Sequence, residues 1–87
     1  MRKQYIDIAK YGPSIGGFSY PEVIRWSDGR EFKIDKVLNI DFSLSNEYSG
    51  YRYRIKIGGI EKFIYCEDNR WYVLIPDNKV KRKSHYY

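Results

Sequence analysis

The sequence predicts an all-β domain, and three observations carry that expectation. Apolar residues recur at every second position over several stretches, the period of a half-buried strand. Short Gly- and Asp-containing turns separate those stretches, and no window of about 11 residues shows sustained helical spacing. Tyrosine supplies ten of the sixteen aromatic residues, and its side chain favours strands and tolerates a half-wet site.

Residues 4–10 (QYIDIAK) set Ile6 and Ile8 against Tyr5, Asp7 and Ala9, which predicts a first strand. Residues 11–19 contain Gly12-Pro13-Ser14 and Gly16-Gly17 and read as a loop. The double glycine lacks the Lys-Ser/Thr and the helix that a phosphate-cradling loop needs. A second strand, residues 20–26, carries Pro21 at its start, where a missing N–H is tolerated. Ser27-Asp28-Gly29 then suits a three-residue hairpin loop with positive φ at Gly29, pairing Ile24 with Phe32 and Arg25 with Glu31.

The third strand is long. Phe32, Ile34, Leu38, Ile40 and Phe42 alternate with Glu31, Lys33, Asp35, Asn39 and Asp41, and the faces exchange once, at Lys36-Val37. A bulge or bend at that point would let one strand serve two sheets. After a polar loop at residues 43–50, Tyr51, Tyr53, Ile55 and Ile57 alternate with Arg52, Arg54 and Lys56. Gly58-Gly59 is a two-residue turn of the primed type, and it pairs Ile57 with Ile60, Tyr53 with Ile64 and Arg52 with Tyr65. The turn at residues 67–70 pairs Cys66 with Trp71, Ile64 with Val73 and Phe63 with Leu74. The last strand stops at Pro76.

One face of this C-terminal meander therefore carries Tyr51, Tyr53, Ile55, Ile57, Ile64, Cys66, Trp71, Val73 and Ile75, with Lys62 as intruder. Trp26, Phe32, Tyr53, Ile64 and Trp71 are expected to share the core. Six strands in about 75 residues match a small SH3-like or Sm-like barrel, with a five-stranded OB-like barrel as the alternative. The expected domain is residues 1–76, followed by a basic tail at residues 77–87.

The formal charge of +5 sits at the ends. Arg2, Lys3 and Lys10 against Asp7 leave residues 1–11 at +2, and Lys79, Lys81, Arg82 and Lys83 against Asp77 leave residues 77–87 at +3. Residues 12–76 are neutral, with nine basic and nine acidic side chains. One cysteine, Cys66, allows no internal disulfide, and with one histidine it makes a poor metal site. No apolar run approaches a membrane span and no signal sequence opens the chain, so the expected setting is cytoplasmic and off the membrane.

The ordered blocks WSDGREFKIDKVL, YRYRIKIGG and CEDNRWYV resemble a family of small uncharacterised β-barrel proteins from Gram-positive bacteria. Those chains pair a W-x-D-G-R hairpin with an I-D-K/R-V-L strand, a following R-Y strand and a late R-W-F/Y-V strand. The resemblance covers roughly residues 21–75. It implies the fold class and a bacterial cytosolic setting, and no established activity comes with it.

Two binding surfaces stand out. On the outer face of the meander, Arg52 and Arg54 adjoin Phe63 and Tyr65, which adjoin Tyr72 and Leu74. Cations beside aromatic rings serve single-stranded nucleic acid, because bases stack on rings while guanidinium groups meet phosphates. The same residue types also build protein interfaces, and arginine stems pack over rings without any ligand. The tail cluster Lys81, Arg82 and Lys83 adds long-range attraction for nucleic acid, or simply solubility. No catalytic residue is expected. The carboxylates fall at turns or on solvated faces, His85 stands near the end of the chain, and Cys66 points inward against Trp71. The expectation is a non-enzymatic module without cofactor or metal, binding single-stranded nucleic acid or, alternatively, a protein partner or itself through the same aromatic face.

Overall fold

The computed structural model describes residues 2–45 and 48–76. It is all-β: β1 (Arg2–Tyr11), β2 (Pro21–Arg25), β3 (Glu31–Lys33), β4 (Lys36–Leu44), β5 (Ser49–Ile57), β6 (Ile60–Glu67) and β7 (Arg70–Ile75). They form one antiparallel sheet in the order β3-β2-β1-β7-β6-β5-β4, curled into a half-barrel.

The local hairpins form in the expected register. Ile24 faces Phe32 and Arg25 faces Glu31. The Trp26 carbonyl accepts from the Gly29 amide at 2.9 Å, and Gly29 has φ +93°. Gly58 and Gly59 have φ +58° and +79°, the positive pair that a primed hairpin turn needs. The β6–β7 turn reaches the same geometry without glycine: Asp68 and Asn69 have φ +52° and +66°, which Asp and Asn tolerate better than other side chains. The β6–β7 ladder holds Tyr65–Tyr72, Cys66–Trp71 and Glu67–Arg70. The expected pairs Ile64–Val73 and Phe63–Leu74 lie beyond it.

Seven strands replace the six expected because the long third strand is cut in two. β3 and β4 occupy opposite ends of the strand order, yet only Ile34 and Asp35 separate them. The Ile34 amide donates to the Glu22 carbonyl at 2.8 Å, toward β2, and the Asp35 amide donates to the Lys56 carbonyl at 2.8 Å, toward β5. Successive amides thus serve opposite edges of the sheet, and the Asp35 carboxylate accepts from the Gly58 amide at 2.8 Å to pin the corner. The corner lies just before the face exchange at Lys36-Val37. The corner moves the inward parity from Ile34 to Val37, and a register shift between Val37 and Asn39, which leaves Leu38 as a bulge, returns it to Ile40.

β1 is the second shared strand. Its first half, Arg2 to Ile6, pairs with β7, beginning with Arg2 beside Ile75, and its second half pairs with β2 through shifts at Ile8, Lys10 and Tyr11. The polar loop between β4 and β5 is shorter than expected, since β4 runs to Leu44 and β5 starts at Ser49. Gly50 makes that possible. Its φ is +95°, and a Cβ there would stand 2.4 Å from the Cys66 carbonyl oxygen.

The core lies inside the curl. Ile6, Ile24, Ile34, Tyr53, Ile55, Ile64, Trp71, Val73 and Ile75 are buried together, with Trp26, Phe32, Ile57 and Cys66 half-buried against them. Tyr51, expected in this set, is 39 % exposed. β2 and β3 cover only part of the meander's inner face, and Tyr51 stands beyond their reach.

Candidate functional site

The outer face brings the expected site residues together and closes part of the surface they form. Tyr65 and Tyr72 are 7 % and 0 % exposed, stacked with ring centroids 5.2 Å apart and 10° between planes. Their cover comes from distant parts of the chain. Tyr48 packs edge-on against Tyr65 at 5.1 Å, and Tyr5 edge-on against Tyr72 at 5.9 Å. The Lys3 ammonium lies 4.7 Å from the Tyr72 ring centre while bonded to Glu67 at 3.0 Å, which raises its pKa. Arg70 caps the Tyr5 ring at 3.8 Å. Tyr48, Lys3, Tyr5 and Arg70 were not among the residues singled out from sequence; the outward parity of Lys3 and Tyr5 on β1 would have found two of them once β1 was known to lie beside β7.

The arginines are engaged. Arg52 bonds to Asp41 at 3.0 Å and spreads its guanidinium over Phe63 at 4.6 Å and Tyr48 at 5.2 Å. That bond, with a second from Asn39, holds the Asp41 carboxyl below its ordinary pKa. Arg54 bonds to Glu61 at 3.3 Å. Phe63 keeps 40 % of its surface exposed, and Leu74 is half-buried against the tyrosines. Among the described residues, two buried side-chain polar atoms have no hydrogen-bond partner: the Tyr72 hydroxyl and the Arg52 Nε. Burial also pushes the Tyr72 pKa up. Lys81, Arg82 and Lys83 lie outside the described residues.

A second surface, not expected from sequence, occupies the end of the inner face that β2 and β3 leave uncovered. The loop before β2 crosses it in part: Phe18 packs edge-on against Tyr51 at 5.5 Å, and the Ser19 carbonyl accepts from the Tyr53 hydroxyl at 2.8 Å. Burial raises the Tyr53 pKa to about 12. Past Phe18 the apolar surface continues. Phe42, 5.0 Å from the Tyr51 ring, is 59 % exposed and Leu44 is 78 % exposed. These residues line a hollow of about 380 Å³ with Ser49, Cys66 and the β6–β7 turn. A hint was available, because Phe42 and Leu44 keep the core parity of Ile40 past the point where the core ends.

Burial raises the Cys66 pKa and so disfavours its thiolate. Among the described residues, no three His, Cys, Asp or Glu side chains are grouped to hold a metal ion, and no helix is long and apolar enough to cross a membrane. No family model, curated protein or solved structure matches the chain.

Proposed function

We propose that this chain is a non-enzymatic binding module that takes a protein partner on the uncovered end of its inner face. The observation that carries this is the contiguous exposure of Phe42 and Leu44, side chains with core parity, beside Tyr51, which Phe18 covers only in part. An apolar patch of this kind on a charged domain is the usual mark of an interface. The outer face supports a protein partner less well, because its largest rings are already packed against one another. The test is a peptide-display selection against the immobilised protein. Enriched peptides are expected to lose at least about tenfold in affinity to Phe42→Lys or Leu44→Asp. Peptides that bind these variants as well as the parent would overturn the assignment.

Single-stranded nucleic acid is the second reading, and one observation favours it. Lys36 and Lys56 stand opposite each other and continue the Arg52–Arg54 column, where Arg54 is the cross-strand neighbour of the exposed Phe63. Binding there would weaken steeply with salt and with Arg54→Ala or Phe63→Ala. Labelled DNA and RNA strands that fail to bind at about 50 μM in low salt would remove it. On the same footing we read the barrel as SH3-like or Sm-like and its bearer as a bacterial cytoplasmic protein. The two bent strands shared across the sheet and the sequence blocks of the Gram-positive family support that reading.

A further inference from the structure

The apolar patch borders an open sheet edge, and the two belong to the same strand. β4 ends the strand order, so among the described residues no strand pairs with its other side. Proteins usually protect such an edge with lysine, proline, a bulge or a very short strand. β4 has a lysine and a bulge only in its first part, at Lys36 and Leu38. From Asn39 to Leu44 it has no proline, glycine or cation. Its one charge there, Asp41, is bonded to Arg52 of the same chain.

Resting on the protein-partner reading above, we propose that the partner is a second copy of this chain, added antiparallel along the far half of β4 about a two-fold axis at Phe42. The register of β4 selects that axis. Centred on Phe42, the pairing sets Phe42 against the partner's Phe42, Ile40 against the partner's Leu44 and Asp41 against the partner's Ser43. Every apolar residue meets an apolar one on the inner face, and no like charges oppose each other. Shifting the axis to Asp41 brings two carboxylates face to face. Shifting it to Ser43 pairs only the last three residues of the strand. The charge balance agrees, since the free cations Lys33, Lys36 and Lys56 lie at the corner end, away from the axis. One strand pairing with a small apolar patch is a small interface, so the dimer is weak and concentration-dependent.

Sedimentation equilibrium from about 5 to 500 μM tests this. The wild-type chain is expected to shift from monomer to dimer across that range. Phe42→Lys, at an exposed position, should weaken association at least about tenfold while leaving the circular dichroism spectrum and Tm unchanged. In a Cys66→Ser background, Phe42→Cys should oxidise to a disulfide-linked dimer, and Ile60→Cys, exposed but at the opposite end of the β5–β6 hairpin from the axis, should not. A wild-type chain that stays monomeric throughout, or a dimer that Phe42→Lys leaves intact, overturns the proposal. If the chain is monomeric yet display-selected peptides still depend on Phe42, the patch serves a different protein: the self-pairing falls and the module's function stands. If selected peptides ignore Phe42 while the dimer depends on it, the reverse holds.

Discussion

The two faces of the meander bury aromatic rings by different means. On the inner face, Tyr53 and Trp71 share a core with Ile24 and Phe32 of β2 and β3, and both have polar partners: Tyr53 donates to the Ser19 carbonyl, and Trp71 Nε1 donates to the Tyr11 hydroxyl at 3.1 Å. On the outer face, Tyr65 and Tyr72 are covered by neighbouring rings and by the Lys3 ammonium, and Arg52 and Arg70 in turn lie over the covering rings of Tyr48 and Tyr5. The second arrangement excludes water without completing the hydrogen bonds, as the Tyr72 hydroxyl shows. The contrast teaches that polar alternation along a strand does not make its outward face open. Long cationic stems and tyrosines roof a sheet without a further layer.

Four experiments sharpen or break this contrast. The largest effect belongs to the layered face: Trp71→Ala should cost about 3–5 kcal/mol in chemical denaturation. A cost below about 1 kcal/mol would mean that β2 and β3 do not seal the core. Alkaline pH should act on the same face. Because burial lifts the folded Tyr53 to about 12, its contribution is complete below the ordinary tyrosine pKa and is lost as pH rises through about 12. The loss approaches about 3 kcal/mol. Denaturation at pH 9 and pH 11.5 should show a drop that Tyr53→Phe reduces.

Third comes the seam between the layers' ends. Gly50→Val should cost at least about 2 kcal/mol, because the side chain would enter the Cys66 carbonyl. Gly29→Val, with open space around it, should cost more than about 1 kcal/mol from φ alone. Equal Tm values for the two variants would remove the distinction. Smallest, and most direct, is the pair of hydroxyl deletions. Tyr53→Phe should lose about 1 kcal/mol with its hydrogen bond, while Tyr72→Phe should be neutral or slightly stabilising. A destabilised Tyr72→Phe would show that the outer hydroxyl is satisfied in solution.

What the sequence revealed followed the distance over which each feature is determined. The hairpins at Ser27-Asp28-Gly29 and Gly58-Gly59 were readable with their registers, because turn chemistry fixes them within a few residues. The bend in the third strand was readable as an event but not as two. The corner at Ile34-Asp35 carries the inward parity from Ile34 to Val37 and the Leu38 bulge returns it to Ile40, so two neighbouring events read as one polarity exchange at Lys36-Val37. The place of β1 between β2 and β7 left no local signal, and the burial of Tyr65 and Tyr72 depends on it through Lys3 and Tyr5. The open patch was hidden for a related reason. Phe42 and Leu44 obey the core pattern, and only the limited extent of β2 and β3 turns them outward to solvent.

The pairing of Arg2 with Ile75 has a consequence for how the domain can be handled. The backbone enters and leaves the barrel side by side, at one point of one ladder. A short link from residue 76 back to residue 2 would close the chain into a ring, and new ends could then be opened at Gly58-Gly59, an exposed turn with open space about both residues. For the same reason the domain could be set inside a surface loop of another protein, entering and leaving through adjacent strands with its fold undivided.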